Sequence, residues 1–324
     1  MRYTLLGGTG LNVSRIAFGT GQFSTDRGVF DERDAVRAVH RARELGVNFF
    51  DTAQVYGAGY AERVLGAALR DELRRDRDSL VIAAKGGLTA GPGRLRDSRR
   101  AWLRQDAESA LRALGVDHLD IYQVHWPDPA APAEDTAEVL QELVDEGKVR
   151  YVGVSDHGAE ELAALDTLRP LDTVQSPYHL FRRGIEEALL PYARARGIGV
   201  LVHSPLASGL FTGRITADTV FAPGDWRAHS PAFHGEALRR NLALVGRLAE
   251  LAGAGGLTVG QLAIAWVLAQ PGVHAAVVGA HHLHNVDSCL AAAEAHLTAE
   301  DLAAVERIAA DAVPVGGAAP ETVA

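Results

Sequence analysis

Short, nearly continuous apolar runs alternate along this chain with longer stretches whose apolar positions recur every three or four residues. The runs are Ile16–Thr20, Asn48–Ala53, Leu80–Lys85, Leu119–His125, Val149–Ser155, Thr173–Ser176, Gly199–Ser204 and Ala275–Gly279. Apolarity without a polar alternation predicts strands covered on both faces, as in a parallel sheet. One of the intervening helices opens at Asp31, carries Val36, Val39, Ala42 and Leu45 on one face, and stops at Gly46. Others are predicted over Ala61–Leu73, Ser98–Leu114, Asp135–Glu146, Glu160–Leu168, Glu186–Arg196, Val259–Leu268 and Val286–Ala295. Eight strand–helix units in strict alternation predict an α/β fold closed into a (β/α)8 TIM barrel.

Three additions surround that repeat. Tyr3–Leu6 and Val13–Ile16 flank the turn Gly7-Gly8-Thr9-Gly10 and predict a hairpin cap over residues 1–16. Those glycines do not spell the dinucleotide fingerprint GxGxxG, and no helix follows them. The connection over 209–235 is long for a barrel and predicts a lid or cofactor loop. A further helix over Ala299–Ala310 precedes a flexible tail over 312–324. With no linker to split it, the chain reads as a single barrel domain over 1–324.

Composition narrows the class. A net charge of −9 and a pI near 5.8 argue against nucleic acid or an acidic membrane as partner, so an anionic ligand needs a local basic pocket. No run approaches the roughly 18 apolar residues of a membrane span, and the N-terminus lacks a signal-peptide core. The single cysteine, Cys289, cannot form an intramolecular disulfide, and a cytoplasmic location is expected. Among the basic residues only Lys85 and Lys148 are lysines, which draws attention to each.

In a parallel barrel, chemistry gathers at the C-terminal ends of the strands. Those ends carry Gly19-Thr20, Asp51, Lys85, His125, Ser155-Asp156, Gln175, His203-Ser204 and Gly279, with Tyr56 in the loop just after Asp51. Taken singly, Asp51 reads as a helix cap, Lys85 as a strand-end charge, His125 as a structural histidine and Tyr56 as a loop aromatic. Their succession at one end of the barrel makes a proton-donating site the better reading. A phenol is a poor acid at neutral pH, an adjacent ammonium favours its ionised form, and a carboxylate holds the ammonium. Tyr56, Lys85 and Asp51 supply that relay, and His125 can orient a substrate carbonyl. Lys148 follows a helix-stopping glycine and reads as structural. His281, His282 and His284 do not share a helical face, so no metal site is expected.

The segment Asn48-Phe49-Phe50-Asp51-Thr52-Ala53-Gln54-Val55-Tyr56-Gly57, with Glu62 and Leu65-Gly66, resembles the aldo-keto reductase signature. Ala83-Ala84-Lys85, the stretch from Asp120 to Asp128, the stretch from Gly147 to Ser155 and the stretch from Ser204 to Leu210 continue in that family's order. The likeness is closest to a bacterial branch containing general-stress reductases, itself similar to potassium-channel β subunits. It implies a catalytic tetrad of Asp51, Tyr56, Lys85 and His125 and a freely bound NADPH. Thr20, Ser155, Asp156 and Gln175 would then face the nicotinamide, the latter three holding its carboxamide. His203, Ser204, Pro205, Leu206, Ser208, Gly209, Leu210, Arg214 and Arg227 would follow the cofactor to its pyrophosphate. Gly279, His281 and Asn285 would meet the adenosine end, and Gly21, Phe23 and Trp126 would line the substrate pocket.

Four positions depart from the family pattern. Asp156 replaces the usual asparagine, His203 an aromatic that stacks on the nicotinamide, His281 an arginine for the 2′-phosphate, and Gly21 a tryptophan of the substrate pocket. The implied activity is NADPH-dependent reduction of aldehydes or ketones, with Tyr56 as general acid. Two other readings use the same residues: an NAD-dependent dehydrogenase of sugar hemiacetals, and a redox-sensing module like the channel subunits. The implied partner is a small carbonyl or sugar substrate.

Overall fold

The computed structural model describes residues 1–23, 31–89, 95–280 and 283–317. An antiparallel hairpin, β1 (Tyr3–Leu5) and β2 (Asn12–Ser14), precedes the barrel. The first half comprises β3 (Ile16–Gly19), α1 (Glu32–Glu44), β4 (Phe49–Asp51), α2 (Tyr60–Ala68), α3 (Arg70–Arg75), β5 (Val81–Gly86), α4 (Arg100–Leu114) and β6 (Leu119–Val124). Then come α5 (Ala133–Asp145), β7 (Val149–Ser155), α6 (Ala159–Leu168), β8 (Thr173–Pro177), α7 (Leu189–Arg196) and β9 (Gly199–His203). The chain ends through α8 (Gly235–Ala254), α9 (Val259–Ala269), β10 (Ala275–Gly279), α10 (Leu283–Ala291) and α11 (Ala299–Ala309). Strands β3 to β10 pair in parallel and close, β10 returning to β3 through Gly279 beside Gly19.

Strand parity divides the core in two. Phe18, Phe50, Ile82, Tyr122, Val152, Val174 and Val202 point outward and pack under the helices. Ala17, Phe49, Ala83, Ile121, Leu201 and Val277 point inward and form a separate apolar layer inside the barrel. Side chains on one face of a strand recur every second residue. The next inward positions towards the C-terminal mouth are therefore Gly19, Asp51, Lys85, Gln123, His203 and Gly279. An apolar floor thus lies directly beneath a polar layer.

The hairpin seals the opposite end. Leu6, Leu11 and Val13 belong to the inner apolar layer, and Tyr151 donates its hydroxyl to the Thr9 carbonyl at 2.5 Å. Leu6 lies where a Cβ on Gly199 would meet its side chain at 2.7 Å, so only glycine fits at 199 without displacement.

Several boundaries differ from the sequence reading. β4 spans only Phe49–Asp51: the Thr52 amide on the Ala83 carbonyl completes the Asp51–Ala83 pair, and the Asn48 side chain is spent on Ser14 and Asn12. The helix expected over Ala61–Leu73 breaks at Leu69 into α2 and α3. Between the expected connection over 209–235 and the helix expected from Val259 lies an additional 20-residue helix, α8, which buries Leu238, Asn241, Leu244, Val245, Leu248 and Ala252 at helical spacing. No single helix among the described residues is long and apolar enough to cross a membrane.

Leu6→Ala is expected to remove about 2–5 kcal/mol of stability by opening a cavity under the barrel floor. Chemical denaturation should show this loss, with turnover per folded molecule unchanged because the polar layer lies beyond the floor.

Candidate active site

Asp51 and Lys85 reach the mouth from adjacent strands. Lys85 Nζ donates to Asp51 Oδ1 at 2.6 Å and Oδ2 at 2.5 Å, and both residues are almost fully buried. Burial opposes the Lys85 charge, but Asp51 and then Tyr56 outweigh it and raise the lysine above its ordinary range. The ammonium stands 5.7 Å from the centre of the Tyr56 ring. The His125 imidazole also meets that ring edge-on, with 5.8 Å between centroids. The four residues expected as a tetrad therefore converge at one point of the mouth.

Gln175 completes the hold on Asp51. Its Nε2 donates to Asp51 Oδ1 at 2.8 Å and to Gln123 Oε1 at 3.3 Å, and Gln123 Nε2 donates to Thr173 Oγ1 at 3.1 Å. Gln175 thus supports the tetrad as well as standing beside Ser155, its register partner on β7. Gln123 was not singled out from sequence. Its signal was strand parity, since it lies two residues after inward-facing Ile121 and pairs in register with Lys85.

A second polar group forms next to the tetrad. Asp156 accepts from Trp126 Nε1 at 2.9 Å through Oδ2, and its Oδ1 lies 3.0 Å from His203 Nε2. His203 Nδ1 lies 3.0 Å from Ser204 Oγ. Burial penalises the Asp156 charge, yet His203 beside it prevails and holds the carboxyl below its usual range. Trp126, expected in the substrate pocket, is mostly buried and packs edge-on to His125 at 6.1 Å.

The loop after β9 is strained. Ser204, Ala207 and Ser208 take positive φ of 59°, 48° and 54°, and Gly209 follows at 99°. Side chains rarely adopt this region, at a cost of about 1–3 kcal/mol each, and successive turns of this kind aim backbone N–H groups into a concavity that suits phosphate. Arg227, expected on the pyrophosphate, is committed to Asp225 and donates to the Ser208 carbonyl at 2.9 Å, so it holds the loop's shape. Leu210 turns its side chain into the core. Arg214 reaches across the rim to His284 at 2.9 Å and Asn285 at 3.3 Å, joining this loop to α10.

Other expectations resolve differently. Phe23 is fully buried against Phe18, 6.0 Å between centroids, and belongs to the outer core rather than to a pocket wall. Its ring follows the hydrophobic layer because its amide is tied back to the Thr20 carbonyl. Thr20 is itself buried, its hydroxyl on Thr52. Gly21 does stand at the site: a Cβ there would lie 3.5–3.8 Å from the tip of the Tyr56 phenol. His281 lies outside the described residues. Lys148 pairs with Glu108 and Glu146 on the surface, as a structural lysine should.

Near Lys85, two buried carboxyls, Glu62 and Asp106, make no ion pair among the described residues. Glu62 on α2 is fully inaccessible, and burial, then Asp106, push it up to about 8 despite Arg63 and Lys85 nearby. Burial likewise raises Asp106 to about 6, against the hydrogen bond from the Gly87 amide.

The family profile described as "Aldo/keto reductase family" matches residues 15–310. The chain is 38% identical over 283 residues to aldo-keto reductase YhdN of Bacillus subtilis, covering 86% of this chain and 85% of the relative. It is 33% identical over 320 residues to probable aldo-keto reductase 1 of Glycine max, covering 97% and 89% respectively. The solved glycerol dehydrogenase AKR11B4 of Gluconobacter oxydans superposes with a TM-score of 0.87 at 34% identity, covering 98% of each chain. This chain therefore belongs to the aldo/keto reductase family. It is a nicotinamide-dependent oxidoreductase of the family's bacterial branch.

Glu62→Gln is expected to stabilise the protein increasingly as pH rises from about 4.5 to about 8. In that window the unfolded chain releases the Glu62 proton and the folded chain keeps it, so wild-type stability falls with pH. The amide removes that slope, worth on the order of a few kcal/mol, and denaturation curves at pH 5 and 8 read it directly.

Proposed function

We propose that this protein reduces small aldehydes or ketones to alcohols with NADPH, using Tyr56 as the general acid. The observation that carries the reading is the buried Asp51–Lys85 pair with its ammonium held against the Tyr56 ring. Bound nicotinamide cofactor would supply a hydride to the carbonyl carbon. The residues present fit such a cofactor: a hydroxyl, a carboxylate and an amide at Ser155, Asp156 and Gln175 stand beside the tetrad. The left-handed turns of 204–209 add a backbone cradle for its phosphates.

Tyr56 then gives its proton to the carbonyl oxygen. Lys85 favours the phenolate left behind, Asp51 and Gln175 keep Lys85 in place, and His125 donates to the same oxygen and fixes its direction. The space beside the phenol at Gly21 supports a broad pocket. A glycerol dehydrogenase among the solved relatives is reason to include polyols, in the reverse direction, on any substrate panel.

Tyr56→Phe is expected to lower turnover by about 10²–10⁴ while cofactor binding and stability persist, since only the acid is removed. Near-wild-type rates on a substrate whose hydride step limits turnover would refute the role. Gly21→Trp should cut kcat/KM for bulky ketones far more than for small aldehydes. Equal losses across a size series would mean that position 21 does not border the substrate.

For the cofactor, the resemblance puts His281 where an arginine grips the 2′-phosphate. His281→Arg is then expected to tighten NADPH by about 1–2 kcal/mol and leave NADH unchanged. Equilibrium titration of both nucleotides decides this, and two unchanged constants would remove His281 from the site.

A further inference from the structure

The group formed by Asp156, His203 and Trp126 is not used by the proton relay, and it holds a carboxylate beside the tetrad at the mouth. Three strand ends contribute to it: Trp126 follows β6, Asp156 follows β7 and His203 ends β9. Both carboxylate oxygens are engaged, at 2.9 Å by Trp126 Nε1 and at 3.0 Å by His203 Nε2. The side chains are only 14% and 26% exposed, so water screens this charge less than it would a surface pair. Asp156 also sits at φ 55°, a backbone state that asparagine adopts at least as readily.

An asparagine at 156 could make the same two contacts, its carbonyl accepting from Trp126 and its amide donating to an unprotonated His203. Shape and hydrogen bonding therefore do not require aspartate. What aspartate adds is a negative charge. The titratable groups facing it are His203 on one side and, from the tetrad, His125 and Lys85; the last is already matched by Asp51.

We propose that Asp156 sets the preference between oxidised and reduced cofactor, its fixed carboxylate favouring the positively charged oxidised nicotinamide over the neutral reduced ring. This rests on the nicotinamide reading above and adds a charge-selective role to it. The carboxylate attracts a pyridinium and has no net charge to meet in a dihydropyridine, so it acts on one redox form only. By linkage, whatever factor it contributes to the ratio of the two dissociation constants also shifts the equilibrium of the bound couple towards carbonyl reduction, whose product is the oxidised cofactor. His203 is a positioning residue here, holding the carboxylate rather than gripping the cofactor by stacking.

The test is equilibrium binding of NADP+ and NADPH to wild type, Asp156→Asn and His203→Gln, without any substrate. Asp156→Asn is expected to weaken NADP+ by about tenfold and to move NADPH by less than about twofold. His203→Gln removes the imidazole and keeps the carboxylate, so its preference for NADP+ should equal or exceed that of wild type. A change of both constants by the same factor in Asp156→Asn, or of neither, overturns the inference while leaving the reductase reading intact. Loss of the preference in His203→Gln to the same extent as in Asp156→Asn also overturns it, by tracing the effect to the pair's structure and not to charge. A wild type that binds no nicotinamide nucleotide at all would refute the cofactor reading itself, and this inference with it.

Discussion

An ammonium taken out of water loses several kcal/mol of hydration, and a protein keeps one buried only where a counter-ion meets it. Lys85 is such a group, nearly inaccessible on β5 with both oxygens of Asp51 on its amine. That single pair ties two adjacent strands, fixes where the polar layer begins above the apolar floor, and leaves a positive charge facing the Tyr56 ring. Neither partner could be removed without stranding the other. Gln175 on β8 bonds the same carboxylate and Gln123 on β6 bonds Gln175, so one hydrogen-bonded chain links four strands of the barrel.

The rest of the mouth is arranged around it with some strain. At the opposite end of the barrel, where helices turn back into strands, positive φ is taken by Gly46, Gly115, Gly147, Gly197 and Gly272. Among the described residues the non-glycine cases are Ala58, Asp156, Ser204, Ala207 and Ser208, and all five lie in loops at the C-terminal mouth. Glycine could relieve each at little cost to the turn. Side chains kept in such conformations point to a requirement of the site, and two of the five, Asp156 and Ser204, bond directly to His203.

Much of this was legible from residue order. Parallel strands covered on both faces must be apolar until they reach the mouth, so the polar residue ending each run marked Asp51, Lys85, His125 and Gln175 without any fold in hand. Tyr56 followed from its distance to Asp51 along the chain. What escaped depended on closure. The meeting of Asp156 with His203 joins strand ends 47 residues apart, and Gln123 lay inside a run, not at its end, until parity placed it inward. Phe23 misled because it follows the strand end closely yet folds back into the outer core. Helix α8 escaped because the eight-unit repeat was already complete without it.

The dependence of Tyr56 on the buried pair can be measured on the phenol itself. Tyrosinate absorbance is followed against pH for wild type and Lys85→Met, each with the Tyr56→Phe form of the same background subtracted. The predicted result is one tyrosine that ionises at lower pH in wild type than in the methionine variant, because the ammonium favours the phenolate. Identical titrations in the two backgrounds would contradict it, and would mean that Lys85 and Asp51 hold the barrel together without governing its acid.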